Sequence, residues 1–220
     1  MPQVDALIGE LRAHPVPVVF HNGNAASDGE RATGLAALAA AMAPGDRVRV
    51  LLHSLAFGTL RPYFGDPEET IGRKHLEMTL DVMAHSLVYW AQDLVRGGRM
   101  GAGGRIFAMT SAGSLAAWPS YGAVSAAKCA LESHVRQLAV ELAPRQITAN
   151  AIMAGVTQTA GLEKIPGAPE IARRALERNP SRRLTTPEDV AKCLVTLSSP
   201  GTAWMTGNVL RLDGGESISG

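Results

Sequence analysis

Three residues in one stretch could do chemistry together: Ser111, Tyr121 and Lys128. An apolar run ends at Ser111, a loop with Trp118 and Pro119 follows, and Tyr121 opens a segment of helical spacing that carries Lys128. Along a helix, a spacing of seven closes about two turns and falls roughly 20° short of eclipsed, so phenol and ammonium would share a face. A nearby ammonium lowers the pKa of a phenol and makes its hydroxyl a better proton donor or oxyanion stabiliser. The residues alone also allow a plainer reading, in which Tyr121 merely begins a helix and Lys128 is a solvated charge.

Such residues need a scaffold, and two alternating periodicities supply one. Short apolar runs at Val16 to Phe20, Val48 to Leu52, Arg105 to Met109, Ile147 to Ile152 and Val209 to Leu212 read as buried strands. Between them, helical spacing covers Val4 to Ala13, Gly29 to Ala43, Lys74 to Arg96, Tyr121 to Ala143, Glu170 to Arg178 and Pro187 to Leu197. Ser27 with Glu30 forms a capping-box pattern, and Thr186-Pro187 before Glu188 and Asp189 puts proline at a first helical position with acids in the first turn. The alternation predicts a single α/β domain over residues 1–220, a doubly wound, Rossmann-like parallel sheet with helices on both faces. Gly97-x3-Gly101-x-Gly103 matches a phosphate loop on paper, but it follows a helix and precedes a strand, the reverse of what amides facing a pyrophosphate require. A flexible turn is the reading for it.

Composition removes several function classes. With 21 Lys plus Arg against 20 Asp plus Glu, a net charge of +1 offers no broad basic face for nucleic acid and no polybasic membrane anchor. The 46% hydrophobic content argues against disorder. Cys129 and Cys193 fall in helical stretches with no pairing motif, as expected of reduced thiols in a cytoplasmic protein. No apolar run reaches the roughly 18 residues that span a bilayer, and the start lacks a signal-peptide pattern. Six scattered histidines without paired spacing predict no metal site.

Three segments give the chain a resemblance to the short-chain dehydrogenase/reductase family: HSLAFG at His53 to Gly58, Tyr121-x6-Lys128-CALE, and Gly207-NVLRL-Asp213-Gly214-Gly215. Most members place the tyrosine four residues before the lysine, where this chain has Val124. A tyrosine seven before, together with HSLAFG in place of an Asn-Asn-Ala-Gly turn, is similar to the enoyl-acyl-carrier-protein reductase branch. That branch delivers hydride to the β-carbon of a thioester rather than to the carbon bearing oxygen, so the stabilising hydroxyl must sit elsewhere. Three residues along a helix move its attachment by roughly 4.5 Å while keeping nearly the same face.

The resemblance implies roles. Lys128 would hold the nicotinamide ribose of NADP(H) or NAD(H), and Tyr121 would hydrogen-bond the thioester carbonyl and stabilise its enolate. Ser111 aligns with a catalytic serine of ordinary members, where many enoyl reductases carry a second tyrosine; a structural strand-end role is the alternative. Met83 stands where ketone-reducing members usually have asparagine. Ser54, Leu55 and the loop Ala154-Gly155-Val156-Thr157-Gln158-Thr159 would face the cofactor, with Thr159 at the pyrophosphate. Asn24, followed by Ala25, stands where an aspartate usually flanks the adenine, and a turn-capping role is open to it. Leu162 to Pro169 would cover the substrate. Arg173, Arg174, Arg178, Arg182 and Arg183 would either dock an acyl carrier protein or simply solvate a helix. A homotetramer packed through Lys74 to Arg96 and Tyr121 to Ala143 is expected.

One part of the family pattern is missing. Val4 to Ala13 resembles the second helix of the family fold and Val16 to Phe20 its third strand, leaving no counterpart for the first two strands, the first helix and the glycine-rich phosphate loop. Either Val16 to Phe20 pairs directly with Val48 to Leu52, or the edge of the latter is uncovered. The expectation is a start internal to a longer reading frame, with a non-catalytic relative or a completing partner as alternatives, and weak nucleotide binding by this chain.

Overall fold

The computed structural model describes residues 2–219. They fall into two compact units, Met1–Arg47 and Val48–Gly220.

The first unit holds two helices, α1 (Pro2–Arg12) and α2 (Asp28–Ala41). Ser27 caps α2 by accepting from the Glu30 amide at 3.4 Å, but the Glu30 carboxylate turns to His21 instead of closing the box. Gly23 lets that pair form, because a Cβ there would lie 2.6 Å from Glu30 Oε2 and 2.9 Å from His21 Nε2. Val16 to Phe20, expected as a strand, is not one. A strand exists only where a neighbour offers its N–H and C=O groups, and this run has no ladder partner among the described residues; Val16, Val19 and Phe20 are exposed.

The second unit is built on four parallel strands, β1 (Val50–His53), β2 (Arg105–Thr110), β3 (Thr148–Ala154) and β4 (Val209–Leu212), side by side in chain order. Parallel neighbours require long crossovers, and helices supply them. The first crossover is α3 (Arg73–Leu80), a π-helical turn (Asp81–His85) and α4 (Ser86–Arg96); the second is α5 (Gly122–Leu142). The third carries α6 (Ala160–Glu163), α7 (Ala168–Arg178) and α8 (Pro187–Leu197). This is a Rossmann-like sheet with flanking helices, in four strands rather than the five expected from the sequence. The outer edge of β1 is uncovered among the described residues, with Val50 and Leu52 exposed.

β2 and β3 are buried along almost their whole length, around the apolar stretches 106–109 and 151–154, with Thr148 and Asn150 as buried polar residues in β3. Ala123 and Ala127 let α5 approach closely, while Val124, Leu131, Val135 and Leu138 fill the layer beneath it. Leu131 is fully buried, so truncating it to alanine costs about 3 kcal/mol. Pro187 takes the first helical position of α8 as expected, and Thr186 and Asp189 add a reciprocal cap, the threonine hydroxyl accepting from the Asp189 amide and the carboxylate from the Thr186 amide.

Candidate active site

The site begins with a lysine that has nowhere wet to go. Lys128 lies in the second turn of α5 and is only 6% exposed, yet its Nζ donates to backbone carbonyls, Met109 at 2.7 Å and Leu55 at 3.4 Å. One turn on, the Glu132 carboxylate accepts from Thr110 Oγ1 at 2.6 Å. Two bonds therefore fasten α5 to the end of β2, ammonium to carbonyl and hydroxyl to carboxylate. Burial draws the Lys128 pKa down to about 8, against the opposing pull of Glu132. The group is still cationic at neutral pH, and neither of its two bonds is to a carboxylate.

Tyr121 is not the first residue of the helix but its N-cap, with φ −96° and ψ 0°. The count of seven thus overstates the helical relation, and the loop before α5, not periodicity, sets the phenol's direction. Its ring lies against Gly113, where a Cβ would collide with Tyr121 Cε1 and sit 3.2 Å from Ser111 Oγ. Ser111 Oγ is buried and has no hydrogen-bond partner among the described residues. A buried hydroxyl without a partner costs free energy, so Ser111 is left with a hydrogen bond to offer beside the Tyr121 ring. Ser111, Tyr121 and Lys128 all converge on the carboxyl end of β2.

The loop after β1 closes one wall. His53, buried, meets Ser86 Oγ through Nε2 at 2.8 Å, and that hydroxyl donates onward to the Val82 carbonyl at 2.7 Å. The serine proton is thereby used, so Nε2 is the donor and Nδ1 carries the lone pair. Burial first, and the Lys128 charge second, lower the His53 pKa to about 4, which keeps the imidazole neutral. Gly58 presses on Val124, Met83 and Thr79, where a Cβ would come within 2.7–2.9 Å of all three. Val124, the position four before the lysine, is sealed beneath that loop and has no room for a phenol. Met83, 1% exposed, packs there without a polar atom to offer. Ser54 is exposed, and Leu55 contributes its carbonyl.

The remaining predicted residues are placed as follows. Gly155 is wedged against Thr185, Glu216 and Asp213, and Thr157 Oγ1 donates to the Gly155 carbonyl at 3.0 Å. Thr159 caps α6, accepting from the Leu162 amide at 3.2 Å. These three follow β3, the strand beside β2. Asn24 and Ala25 belong to the first unit, where Asn24 Oδ1 accepts from the Ala26 amide at 3.0 Å in the turn-capping arrangement. Gly97–Gly104 sits before β2, at the opposite end from Ser111, and Gly103 takes a positive φ of 84° with Arg49 against it. It is a turn.

The arginine run is largely spent on its own neighbours: Arg173 and Arg174 bind Glu170, Arg173 also Glu177, and Arg183 binds Asp189. Arg178 and Arg182 donate to the carbonyls of Ser219 and Glu177. Sequence reasoning passed over Glu132, one helical turn beyond Lys128, although the spacing of four was readable. It also passed over Tyr63, whose ring covers Gly122 at the start of α5, and Trp118, which reaches across to Pro166. Those two are long-range contacts without local signature.

Comparison with known proteins identifies the family. The family model described as enoyl-(acyl carrier protein) reductase matches residues 4–217. The 1-cyclohexenylcarbonyl-CoA reductase of Streptomyces collinus is 36% identical over 151 residues, 67% of this chain and 53% of that protein. The NADH-dependent enoyl-[acyl-carrier-protein] reductase FabI of Nostoc sp. is 33% identical over 79% of this chain and 66% of its own length. The chain thus spans between about half and two thirds of these curated relatives. The crystal structure of the corresponding Aquifex aeolicus enzyme superposes with a TM-score of 0.78 at 27% identity, covering 89% of this chain and 74% of that one. A family match across residues 4–217 places the chain in the enoyl-(acyl carrier protein) reductase family.

Proposed function

We propose that this chain carries the substrate side of a nicotinamide-dependent reductase of trans-2-enoyl thioesters, a reaction of fatty acid biosynthesis. The observation that carries the reading is the orphaned Ser111 hydroxyl beside the Tyr121 ring, at the strand end where a buried ammonium is held by carbonyls. Relatives named as NADH- or NADPH-dependent FabI enzymes and as a CoA-thioester reductase support both the cofactor class and the substrate class.

The residues fit the nicotinamide end of NADP(H) or NAD(H). Lys128 has two of three N–H groups on carbonyls and would give the third to the ribose, with Leu55, Ser54, Gly155, Thr157 and Thr159 lining the path beyond. The bound cofactor supplies hydride to the thioester β-carbon. Tyr121 donates a hydrogen bond to the thioester carbonyl and holds the oxygen as it becomes an enolate, and Ser111 offers a second donor to the same oxygen. Lys128 adds positive potential without surrendering its proton at neutral pH. The α-carbon is then protonated from solvent.

The phosphate end does not fit as well: within these 220 residues no glycine-rich loop follows a strand and opens a helix. We therefore expect weaker than micromolar nucleotide affinity for this chain, measured by calorimetry, with submicromolar binding overturning that expectation. The same observation favours one second reading, a silent subunit that binds a longer homologue. Carbonyl reduction is disfavoured by Val124 and Met83, apolar where that chemistry needs a phenol and an amide. We further propose one Rossmann-like domain, a cytoplasmic homotetramer packed through α3–α4 and α5, and phosphopantetheine thioesters, on coenzyme A or acyl carrier protein, as substrates.

The test is direct. Crotonyl and acetoacetyl thioesters are offered side by side with millimolar NADH or NADPH, to the wild type and to Tyr121→Phe. Reduction of the crotonyl substrate alone, lost in the variant, supports the reading; exclusive ketone reduction sinks it, and unchanged activity of a co-purifying complex after Tyr121→Phe supports the silent subunit.

A further inference from the structure

Trp118 makes an unusual set of contacts for a residue in an exposed loop. Its Nε1 donates to the Pro166 carbonyl at 3.1 Å. The face of its ring receives Gly167, which holds a left-handed φ of 81° and whose Cβ, if present, would lie 3.4 Å from Cζ2. The Arg174 guanidinium stands over the same ring, 5.7 Å from its centre, held from behind by Glu170. Pro166 and Gly167 form the joint between α6 and α7, and Arg174 lies on α7. One indole therefore grips the joint and the helix together.

The other side of the grip is the tyrosine. Trp118's own carbonyl accepts from the Tyr121 amide at 3.1 Å, and Tyr121's carbonyl starts α5 by accepting from Ser125 at 2.9 Å. Between them Pro119 fixes φ and Ser120 takes a positive φ of 61°, which makes the two-residue link short and stiff. Movement of α6–α7 cannot proceed without pulling on Trp118 or breaking its three contacts, and pulling on Trp118 turns the N-cap that aims the phenol.

We infer that Trp118 is a positioning residue: it latches the α6–α7 segment to the loop that aims Tyr121, so that the substrate cover and the phenol are set together. The inference rests on the proposed function for what the segment covers, but not for the latch itself. Thermodynamic coupling is reciprocal, so perturbing either end must register at the other.

Amide hydrogen exchange on the full chain tests it without any turnover. Trp118→Ala should speed exchange at Leu162, Ile165, Ala168 and Ile171 by about tenfold, the effect of losing a hydrogen bond and a cation–π contact. Trp118→Phe keeps ring and guanidinium but loses the donor, and should rescue roughly half of that on a logarithmic scale. Arg174→Ala, made at the far end, should speed the Tyr121 and Ser125 amides about two- to fivefold. Unchanged exchange at 162–171 in both Trp118 variants overturns the latch, and an unmoved Tyr121 amide in Arg174→Ala overturns the coupling. Where thioester reduction is measurable, Trp118→Ala raises KM more than it lowers kcat, with Trp118→Phe between. Absence of turnover in every variant would count against the enoyl reductase reading while the exchange result stood by itself.

Discussion

A buried cation stands near each end of β2, Arg105 from the strand itself and Lys128 from α5. At its start, Arg105 donates to the carbonyls of Gly103, Gly104 and Ser199, the last just beyond α8. At its finish, the Lys128 ammonium meets the carbonyls of Met109 and Leu55. Both positive groups are stabilised by backbone dipoles instead of ion pairs. Arg105 cannot lose its proton in practice, has Arg49 as its charged neighbour, and leaves its buried Nε without a hydrogen-bond partner among the described residues. Lys128 keeps a spare N–H, a carboxylate within a turn, and two hydroxyl-bearing side chains at the same strand end. The first stands at the strand end that follows the Gly97–Gly104 turn, and the second at the end where Ser111 and Tyr121 also lie.

The largest expected effect sharpens that contrast. Lys128→Met should lower thioester reduction at millimolar nucleotide by about a thousandfold and cost less stability than losing Arg105, because it strands two carbonyls rather than three and removes an ammonium whose burial already costs stability. Arg105→Met should do the opposite, losing about 2–4 kcal/mol by stranding buried carbonyls, with reduction intact once the chain is folded. Equal stability losses at both positions would break the comparison.

Acid should act on the same region. His53 titrates near 6.5 when unfolded and about 4 when folded, so its contribution is complete above pH 6.5 and is lost as pH falls toward 4. The total is about 3 kcal/mol. His134, lowered by burial and by His85, acts in the same direction. His53→Gln should flatten the stability profile between pH 6.5 and 4; an unaltered slope would place the acid sensitivity elsewhere. A smaller effect is expected from Glu132→Gln, which removes the one charge that favours the ammonium and should lower the Lys128 pKa below about 8, by less than about one unit. Nitrogen-15 shifts of the lysine side chain would show it, and a rise instead would mean that Glu132 is only a partner for Thr110.

Much of this was readable from residue order. The six expected helices and four of the five expected strands lie where periodicity put them, and Pro187 takes the first helical position of α8 as expected. The tyrosine and lysine were legible as a pair because the spacing is unusual, and Val124 as a vacancy in the commoner pattern. Val16 to Phe20 failed because apolar content was mistaken for strandedness. The phenol's aim failed too as a helical argument, since Tyr121 precedes the helix.

The amino-acid order determined which segments coil and which extend, because caps and hydrophobic period act within a few residues of one another. It also fixed which chemical groups stand before α5. Tertiary structure alone decided that Lys128 would be held by one carbonyl from β2 and one from the loop after β1, that Ser111 would be left without a partner among the described residues, and that Trp118 would close on a joint 48 residues away. Those outcomes depend on segments distant in the chain arriving at one strand end, and no local rule encodes the meeting of groups that only packing brings together.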